Sequence, residues 1–294
     1  MFKPSGGGLD ALFERSRPST LQKFLASPPK YLARLLYGIQ QQLHTPREPN
    51  RPITVICISD THNTQPDVPH GDLLIHAGDL TQSGSLEEIQ TSLNWLKTLS
   101  HPHKVIIAGN HDMLFETEEK AKLDLGNIVY LQDSSTGIRF RNGRALNIYG
   151  SPWTPTPGTW AFQHRREEDV WTGSIPENTD ILITHRPPRF HLDVAGYGDE
   201  NLLKELWRTR PRLHVFGHVH EGYGQDFIAY DRFETRYEGV CRGSAGFTTL
   251  VKMLGQLIWF RWSSRAAKGT VLVNAAIVGG LKDTERRSPI LVSL

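Results

Sequence analysis

Short apolar runs, each closed by a polar or glycine-bearing turn, dominate the middle of the chain. The runs 53–59, 73–75, 105–108, 181–183 and 213–216 are too short for helices and read as strands buried on both faces. Helical spacing falls between them. Residues 85–99 form one such stretch, with Ser85 at the N-cap and Glu88 at the capping-box position. A second helix is predicted through 116–123, followed by a strand at 128–131. This alternation predicts a layered α/β domain. Further on, the runs 137–140 and 145–149 flank Arg141-Asn142-Gly143-Arg144, and Asn-Gly between strands predicts a hairpin. Residues 150–159, rich in Pro and Trp, read as loop. A short helix is expected at 165–171, another at 199–209, and closing strands at 271–273 and 289–292.

The ends and one interruption depart from this rhythm. Residues 1–18 contain Gly, Ser and Pro and read as disordered. Leu21, Phe24 and Leu25, then Tyr31, Leu32, Leu35, Leu36 and Ile39, recur at helical spacing, broken by Pro28-Pro29. The simplest reading is a helix packed on the domain surface; a partner-binding or membrane-surface helix is the alternative. Pro46, Pro49 and Pro52 mark a linker. The expected organisation is an N-terminal extension over 1–50 with an amphipathic helix, then a domain over 51–294 with a glycine-punctuated insertion at about 225–268. Within that insertion, 250–262 is an apolar and aromatic cluster bordered by Lys252, Arg261 and Arg265. It is shorter than the roughly 20 residues of a membrane span. It reads as folded onto the domain, with a membrane-surface or protein contact as the sharper alternative.

Composition narrows the class. The chain has 294 residues, 22% charged and 38% hydrophobic, with a formal net charge of +2. That is an ordinary globular balance, without the basic stripe of a nucleic-acid binder, so no nucleic-acid polymer is expected as partner. Two cysteines, Cys57 and Cys241, make no disulfide framework and fit a reducing compartment. The expected location is the cytosol. A mitochondrial presequence is the alternative, suggested by Lys3, Arg15, Arg17 and Lys23, although Asp10 and Glu14 interrupt them.

The chemistry sits where the strands end. Each of the five apolar runs is followed by one motif: Asp60-Thr61-His62, Gly78-Asp79, Gly109-Asn110-His111-Asp112, Thr184-His185, and Gly217-His218-Val219-His220. Strand ends are where α/β folds place ligands. A single Asp after a strand is often a helix cap, and His76 and His214, inside strands, read as structural. Five motifs together supply the donors of a two-metal hydrolytic site. Two divalent ions about 4 Å apart hold an attacking hydroxide and neutralise a phosphoryl group. They repel each other, so a carboxylate belongs between them. Asp79 suits that bridge, because Gly78 permits close backbone approach. Asp60 and His62, two apart on extended chain, can turn to one ion; His218 and His220 can serve one ion each. Asn110 offers an amide oxygen and His185 an imidazole. Mixed nitrogen and oxygen donors suit Mn²⁺, Fe, Zn²⁺ or Ni²⁺ over Mg²⁺ or Ca²⁺, with Mn²⁺ favoured here. His111 reads as a general acid toward the leaving oxygen. Asp112 either orients it or caps the helix that follows.

In this order the motifs resemble the calcineurin-like metallophosphoesterases, over about residues 53–220. The resemblance implies a four-layer αββα sandwich of two mixed sheets flanked by helices. It implies that one metal takes Asp60, His62, Asp79 and His220, and the other Asp79, Asn110, His185 and His218, with His111 as the acid. The stretches 75–79, 150–153 and 217–224 further resemble the MPPED-type branch, whose members are phosphodiesterase-like, with cyclic nucleotides among reported substrates. One departure is Arg186, where that branch usually has Gly after Thr-His; it either contacts substrate phosphate or points to solvent.

The leading expectation is therefore a dinuclear metal-dependent phosphodiesterase on a small nucleotide-like substrate. Trp153, Trp160 and Phe162 either stack a base or pack within their loop. A Ser/Thr-type phosphomonoesterase is a second reading, disfavoured because 80–84 lacks the Asp-Arg-Gly that such enzymes carry after Gly-Asp. A metal-stabilised interaction module without catalysis is the third.

Overall fold

The computed structural model describes residues 19–43, 51–155, 158–194, 196–260, 268–280 and 284–294. The segment 1–18, Pro46, Pro49, Arg261 and Arg265 lie outside them. The chain divides into two compact units. One comprises residues 46–230, 267–279 and 286–294; the other comprises 1–45, 231–266 and 280–285.

The larger unit holds the predicted strands. β1 (Thr54–Ile58), β2 (Leu73–Ala77), β3 (His103–Ile107) and β4 (Ile128–Tyr130) run parallel in that order. The last strand, Ile290–Ser293, lies antiparallel to β1 on its other side. In the second sheet β5 (Ser134–Arg139) and β6 (Ala145–Ser151) form the hairpin predicted at Asn142-Gly143. Gly143 takes the left-handed conformation that a tight turn requires (φ +84°). β6 is parallel to β9 (Ile181–Thr184), which is parallel to β10 (Leu213–Phe216). β12 (Thr270–Asn274) follows, with β11 (Gly224–Ile228) antiparallel at the edge. Two-residue strands at Thr154–Pro155 (β7) and Gln163–His164 (β8) pair within one loop.

The period-2 geometry of these strands builds the layers. Val55, Cys57, Ile75 and Val105 of the first sheet face Ile148, Ile183 and Val215 of the second in one buried cluster. The alternate residues Ile56, Leu74 and Ile106 pack against Ile89, Leu93 and Leu96 of helix α3 (Leu86–Thr98). On the far side Leu182 and Leu272 pack against Leu202, Leu203 and Leu206 of α4 (Glu200–Thr209). The result is the helix–sheet–sheet–helix sandwich of two mixed sheets. Cys57 sits in the core between the sheets, as expected of a small apolar residue.

Some expectations change in detail. Ser85 accepts the Glu88 N–H at 3.3 Å, but Glu88 turns to Ser83 and Asn63, so only half of a capping box forms. The helix expected over 116–123 is two 3₁₀ turns, Met113–Glu116 and Glu118–Lys122. No helix forms over 165–171. Asp169 instead accepts the Trp171 and Thr172 N–H groups in an Asx turn that buries Trp171. The insertion expected from about 225 begins later, because Gly224–Ile228 completes the second sheet.

The smaller unit is helical. α1 (Thr20–Ala26) has a full capping box between Ser19 and Gln22, and α2 (Pro28–Leu43) starts at the first proline of Pro28-Pro29, where a missing N–H costs nothing. α5 (Arg232–Arg242) and α6 (Phe247–Phe260) complete it. Tyr37 stacks on Tyr237 at 4.0 Å between ring centroids. No helix among the described residues is long and apolar enough to cross a membrane.

Candidate metal centre

The five motifs leave the C-terminal ends of β1, β2, β3, β9 and β10. The two sheets are tied at this end, where Ser59 N–H donates to Ala275 O at 2.9 Å and Ser59 bridges Ala276. The turns are tight. Asp60, His62, Asp79 and His218 all have left-handed φ, at +51°, +42°, +54° and +62°. Such φ values are uncommon outside glycine and persist only where surrounding bonds enforce them. Here Asp60 N–H donates to Gly78 O at 2.9 Å, and His62 N–H to Asp79 O at 3.2 Å. The motif glycines are sterically required. A Cβ at Gly78 would lie 2.6 Å from His185 Nδ1, and one at Gly109 or Gly217 would collide with the Asp79 or Asp60 carboxylate.

Two of the expected ligands face Asp79, and a third lies beside them. Its Oδ1 accepts the His111 backbone N–H at 2.8 Å. Its Oδ2 lies 3.2 Å from His185 Nε2 and 3.9 Å from His62 Nε2. Asn110 Oδ1 is 3.2 Å from the same His185 nitrogen. The Asp60 carboxylate accepts the His218 N–H at 3.1 and 3.0 Å and sits 3.2 Å from His220 Nε2. The donor atoms of Asp60, His62 and His220 lie within 4.8 Å of one another, and so do those of Asp79, His185 and His218. His111 makes a third such group with His62 and Asp79. The structure thus gathers all seven expected ligands and the expected acid.

Ring orientation is set from outside. A carbonyl can only accept, so Ala77 O (2.9 Å), Thr81 O (3.2 Å) and Gln82 O (2.8 Å) fix protons on Nδ1 of His185, His62 and His111. That leaves each Nε2 as the working nitrogen. His62 Nε2 is buried without a hydrogen-bond partner. A buried unpaired imidazole nitrogen facing a buried carboxylate is costly unless a cation completes it. The donors therefore fit a pair of divalent ions.

Electrostatics agree. Burial opposes the charge on Asp60, but His220, with His185 and His62, outweighs it and holds the carboxyl well below its usual range. Burial likewise opposes ionisation of Asp79, which His185 overcomes by charge and hydrogen bond. His185 is the reciprocal case: despite burial, Asp79 and Asp60 push it up to about 9. In the metal-free chain it thus carries a proton where an ion would bring its charge. Burial, with the nearby His185 charge, pushes His218 down to about 3, leaving it neutral as a ligand must be.

A supporting layer was only partly visible from the motifs. Thr61 donates to Leu80 O and Thr184 to Arg186 O, so each hydroxyl must accept from a histidine. His76 Nε2 meets Thr61 at 2.9 Å, and His214 Nε2 meets Thr184 at 2.7 Å. The two strand histidines that read as structural therefore brace the residues beside Asp60, His62 and His185. Asn274, at the end of β12, donates to Val219 O at 2.9 Å, and Arg287 donates to His220 O. Sequence reasoning passed over both. Asn274 could have been found as a polar residue closing an apolar strand, like the other motifs.

His214 provides a pH test. Burial pushes it down to about 3. The unfolded chain takes up a proton near pH 6.5 that the folded chain refuses. The stability contribution is therefore complete above about pH 6.5 and is lost as pH falls toward 3, at about 1.4 kcal/mol per pH unit. His214→Gln, which keeps a donor for Thr184, should lose about 2 kcal/mol less than wild type between pH 7 and pH 5 in urea unfolding. Equal losses would show that His214 does not set the acid limb.

Three further expected site residues are held by contacts their motifs did not show. Asp112 neither contacts the His111 ring nor caps the following turn. Its buried carboxylate accepts from Gly109 N–H (2.9 Å), Leu80 N–H (3.1 Å), and Thr81 N–H and hydroxyl (3.0 and 2.8 Å), stapling the second and third motif loops together. Burial, then the Asp79 charge, raises its carboxyl to about 6 against those bonds. Arg186 does not point to solvent; it is buried and its guanidinium donates to Tyr197 O. Trp153 donates to the Asp133 carboxylate at 3.0 and 3.1 Å and packs edge-on to buried Phe162. The aromatic residue at the site is Trp160, half-exposed, with its ring 4.4 Å from that of His111. Ala161 N–H donates to Asn110 O at 3.1 Å and anchors that loop beside the ligand.

Comparison with known proteins gives the chain's relatives. The calcineurin-like phosphoesterase family model matches residues 53–222. The chain is 40% identical over 204 residues to human metallophosphoesterase domain-containing protein 1, across 58% of this chain and 61% of that protein. It is 36% identical over 214 residues to the Caenorhabditis elegans UPF0046 protein C25E10.12, across 62% of this chain and 74% of that protein. It is 38% identical over 299 residues to an Emericella nidulans protein named probable rhamnogalacturonate lyase C, across 97% of this chain but only 29% of that protein. The chain thus spans less than two thirds of the Emericella and human relatives. A solved structure, TT1561 of Thermus thermophilus, aligns with a TM-score of 0.44 and 14% identity over 61% of this chain and 85% of that one.

Proposed function

The chain belongs to the calcineurin-like phosphoesterase family, and from that premise we propose that it is a dinuclear metal-dependent phosphodiesterase acting on small, nucleotide-like substrates. The observation that carries the proposal is the convergence of two carboxylates, four imidazoles and one amide oxygen about Asp79 and Asp60, with His62 Nε2 buried and unpaired. One ion would be held by Asp60, His62, Asp79 and His220, the other by Asp79, Asn110, His185 and His218. Mn²⁺, Fe, Zn²⁺ or Ni²⁺ suits these donors, Mn²⁺ most simply. When bound, such ions supply an activated water and a counter-charge for the phosphoryl group. The rest falls to the protein. The Gly78 and Gly109 turns let the backbone come close to the carboxylates. His111, its Nδ1 proton held by Gln82 O, keeps Nε2 to deliver a proton to the leaving oxygen.

Trp160 supports the nucleotide-like class. Its exposed ring stands over His111, beside an open cleft of about 340 Å³ lined by Gly84, Met113, Glu116, Thr117 and Trp160. A flat leaving group stacked there would put its ester oxygen near the acid. The test is steady-state hydrolysis with Mn²⁺-loaded protein. Bis-p-nitrophenyl phosphate should be cleaved in preference to p-nitrophenyl phosphate. On 2′,3′- and 3′,5′-cyclic nucleotides, Trp160→Ala should raise KM about tenfold, given ~1–3 kcal/mol per stacked base, with metal content unchanged. Preference for the monoester would reverse the diester assignment; an unchanged KM would remove the stacking role.

A further inference from the structure

The helical unit turns its apolar residues outward. On α2 the residues at amphipathic spacing are Leu32, Leu35, Leu36 and Ile39, yet the buried residues are Ala33, Tyr37 and Gln40. The Tyr37–Tyr237 stack fixes that inner face, and it leaves Leu35 and Ile39 exposed. α6 is apolar on two sides. Leu250, Met253 and Leu257 are buried, while Val251, Ile258 and Trp259 are 71%, 60% and 67% exposed. A helix that is apolar all round normally lies inside a protein or against a non-aqueous phase. α1 adds exposed Leu21 and Leu25. Exposed apolar residues in such density are not the scattered kind a soluble surface tolerates.

Charge identifies the occupant. Residues 19–43 and 247–266 contain Lys23, Lys30, Arg34, Lys252, Arg261 and Arg265 and no Asp or Glu. The acids of α5 are withdrawn: Glu234 and Glu238 are buried, and Asp231 caps its own helix by accepting the Phe233 and Glu234 N–H groups. Apolar helices whose own segments carry cations and no acids match a bilayer surface, where side chains enter the acyl boundary and Lys and Arg meet anionic headgroups. α6, at 14 residues, is too short to span it. We propose that α1, α2 and α6 dock this protein on an anionic membrane surface, a property independent of the phosphodiesterase assignment.

The test is flotation of the full chain with phosphatidylcholine vesicles, with and without phosphatidylserine. The expected result is flotation with the anionic vesicles, about tenfold less with neutral ones, and loss of binding as NaCl rises. Two variants separate the components. Val251→Glu with Ile258→Glu removes the apolar contact, and Lys23→Glu with Arg34→Glu reverses charge at exposed positions. Both should lose flotation while keeping the wild-type midpoint in urea unfolding, which shows that the chain is folded whether or not it cleaves diesters. Failure of wild type to float with anionic vesicles, or variants that float as well as wild type, would overturn the proposal. So would a solution dimer that the Val251/Ile258 variant dissociates in the absence of vesicle binding, which would assign the face to a second copy.

Discussion

Asp79→Asn is expected to strip bound metal and phosphoester cleavage together. Among the described residues Asp79 is the carboxylate shared by two of the donor groups, with Oδ2 facing His185 and His62 and Oδ1 accepting the His111 N–H. Asparagine can keep the Oδ1 bond. It would set an uncharged oxygen or an NH₂ group where the proposed centre needs a charged oxygen, in a buried site whose other donors are mostly neutral. Two ions held close together would lose the anion proposed to lie between them. Activation of water, which a bound metal achieves by lowering its pKa from 15.7 to about 7, would then be lost. Turnover should fall by about four orders of magnitude or more. Bound metal, counted by plasma mass spectrometry after gel filtration, should fall in the same samples. Full activity in this variant would remove the bridging role.

His111→Ala should separate the two quantities. The side chain contributes only Nε2 to the site, because Nδ1 is committed to Gln82 O. The backbone N–H that steadies Asp79 survives the substitution. Metal content should stay close to wild type while turnover drops about 10²–10⁴-fold, the usual range for a lost general acid. The drop should be smallest for p-nitrophenolate, a leaving group that needs little protonation, and largest for an alkoxide. Loss of metal along with turnover would instead make His111 a ligand, which its grouping with His62 and Asp79 makes a concrete alternative.

The proposed metal donors were legible because each falls within four residues of the end of a buried strand. The run 53–59 ends in a buried turn, where Asp60 and His62 take left-handed φ. What the motifs could not tell is which polar group acts directly and which braces. Asp112 follows His111 in sequence but accepts from three backbone N–H groups of two loops, a role that depends on a fold bringing Leu80 to Gly109. Trp153 and Trp160 look alike along the chain. Asp133 claims the first, and the Ala161–Asn110 bond delivers the second to His111. The stretch 165–171 has helical composition, but the Asp169 turn and burial of Trp171 override local propensity. On α2 the apolar stripe was plain in sequence and its direction was not, because aromatic stacking of Tyr37 selects the opposite face.

The most direct single measurement is a Mn²⁺ titration of metal-stripped wild-type protein, with bound metal and bis-p-nitrophenyl phosphate cleavage followed in the same samples. Two ions bound per chain, with cleavage appearing as the pair fills, is the expected result. Cleavage that persists with no metal bound, or two bound ions with no turnover of any phosphoester, would contradict a dinuclear hydrolytic centre.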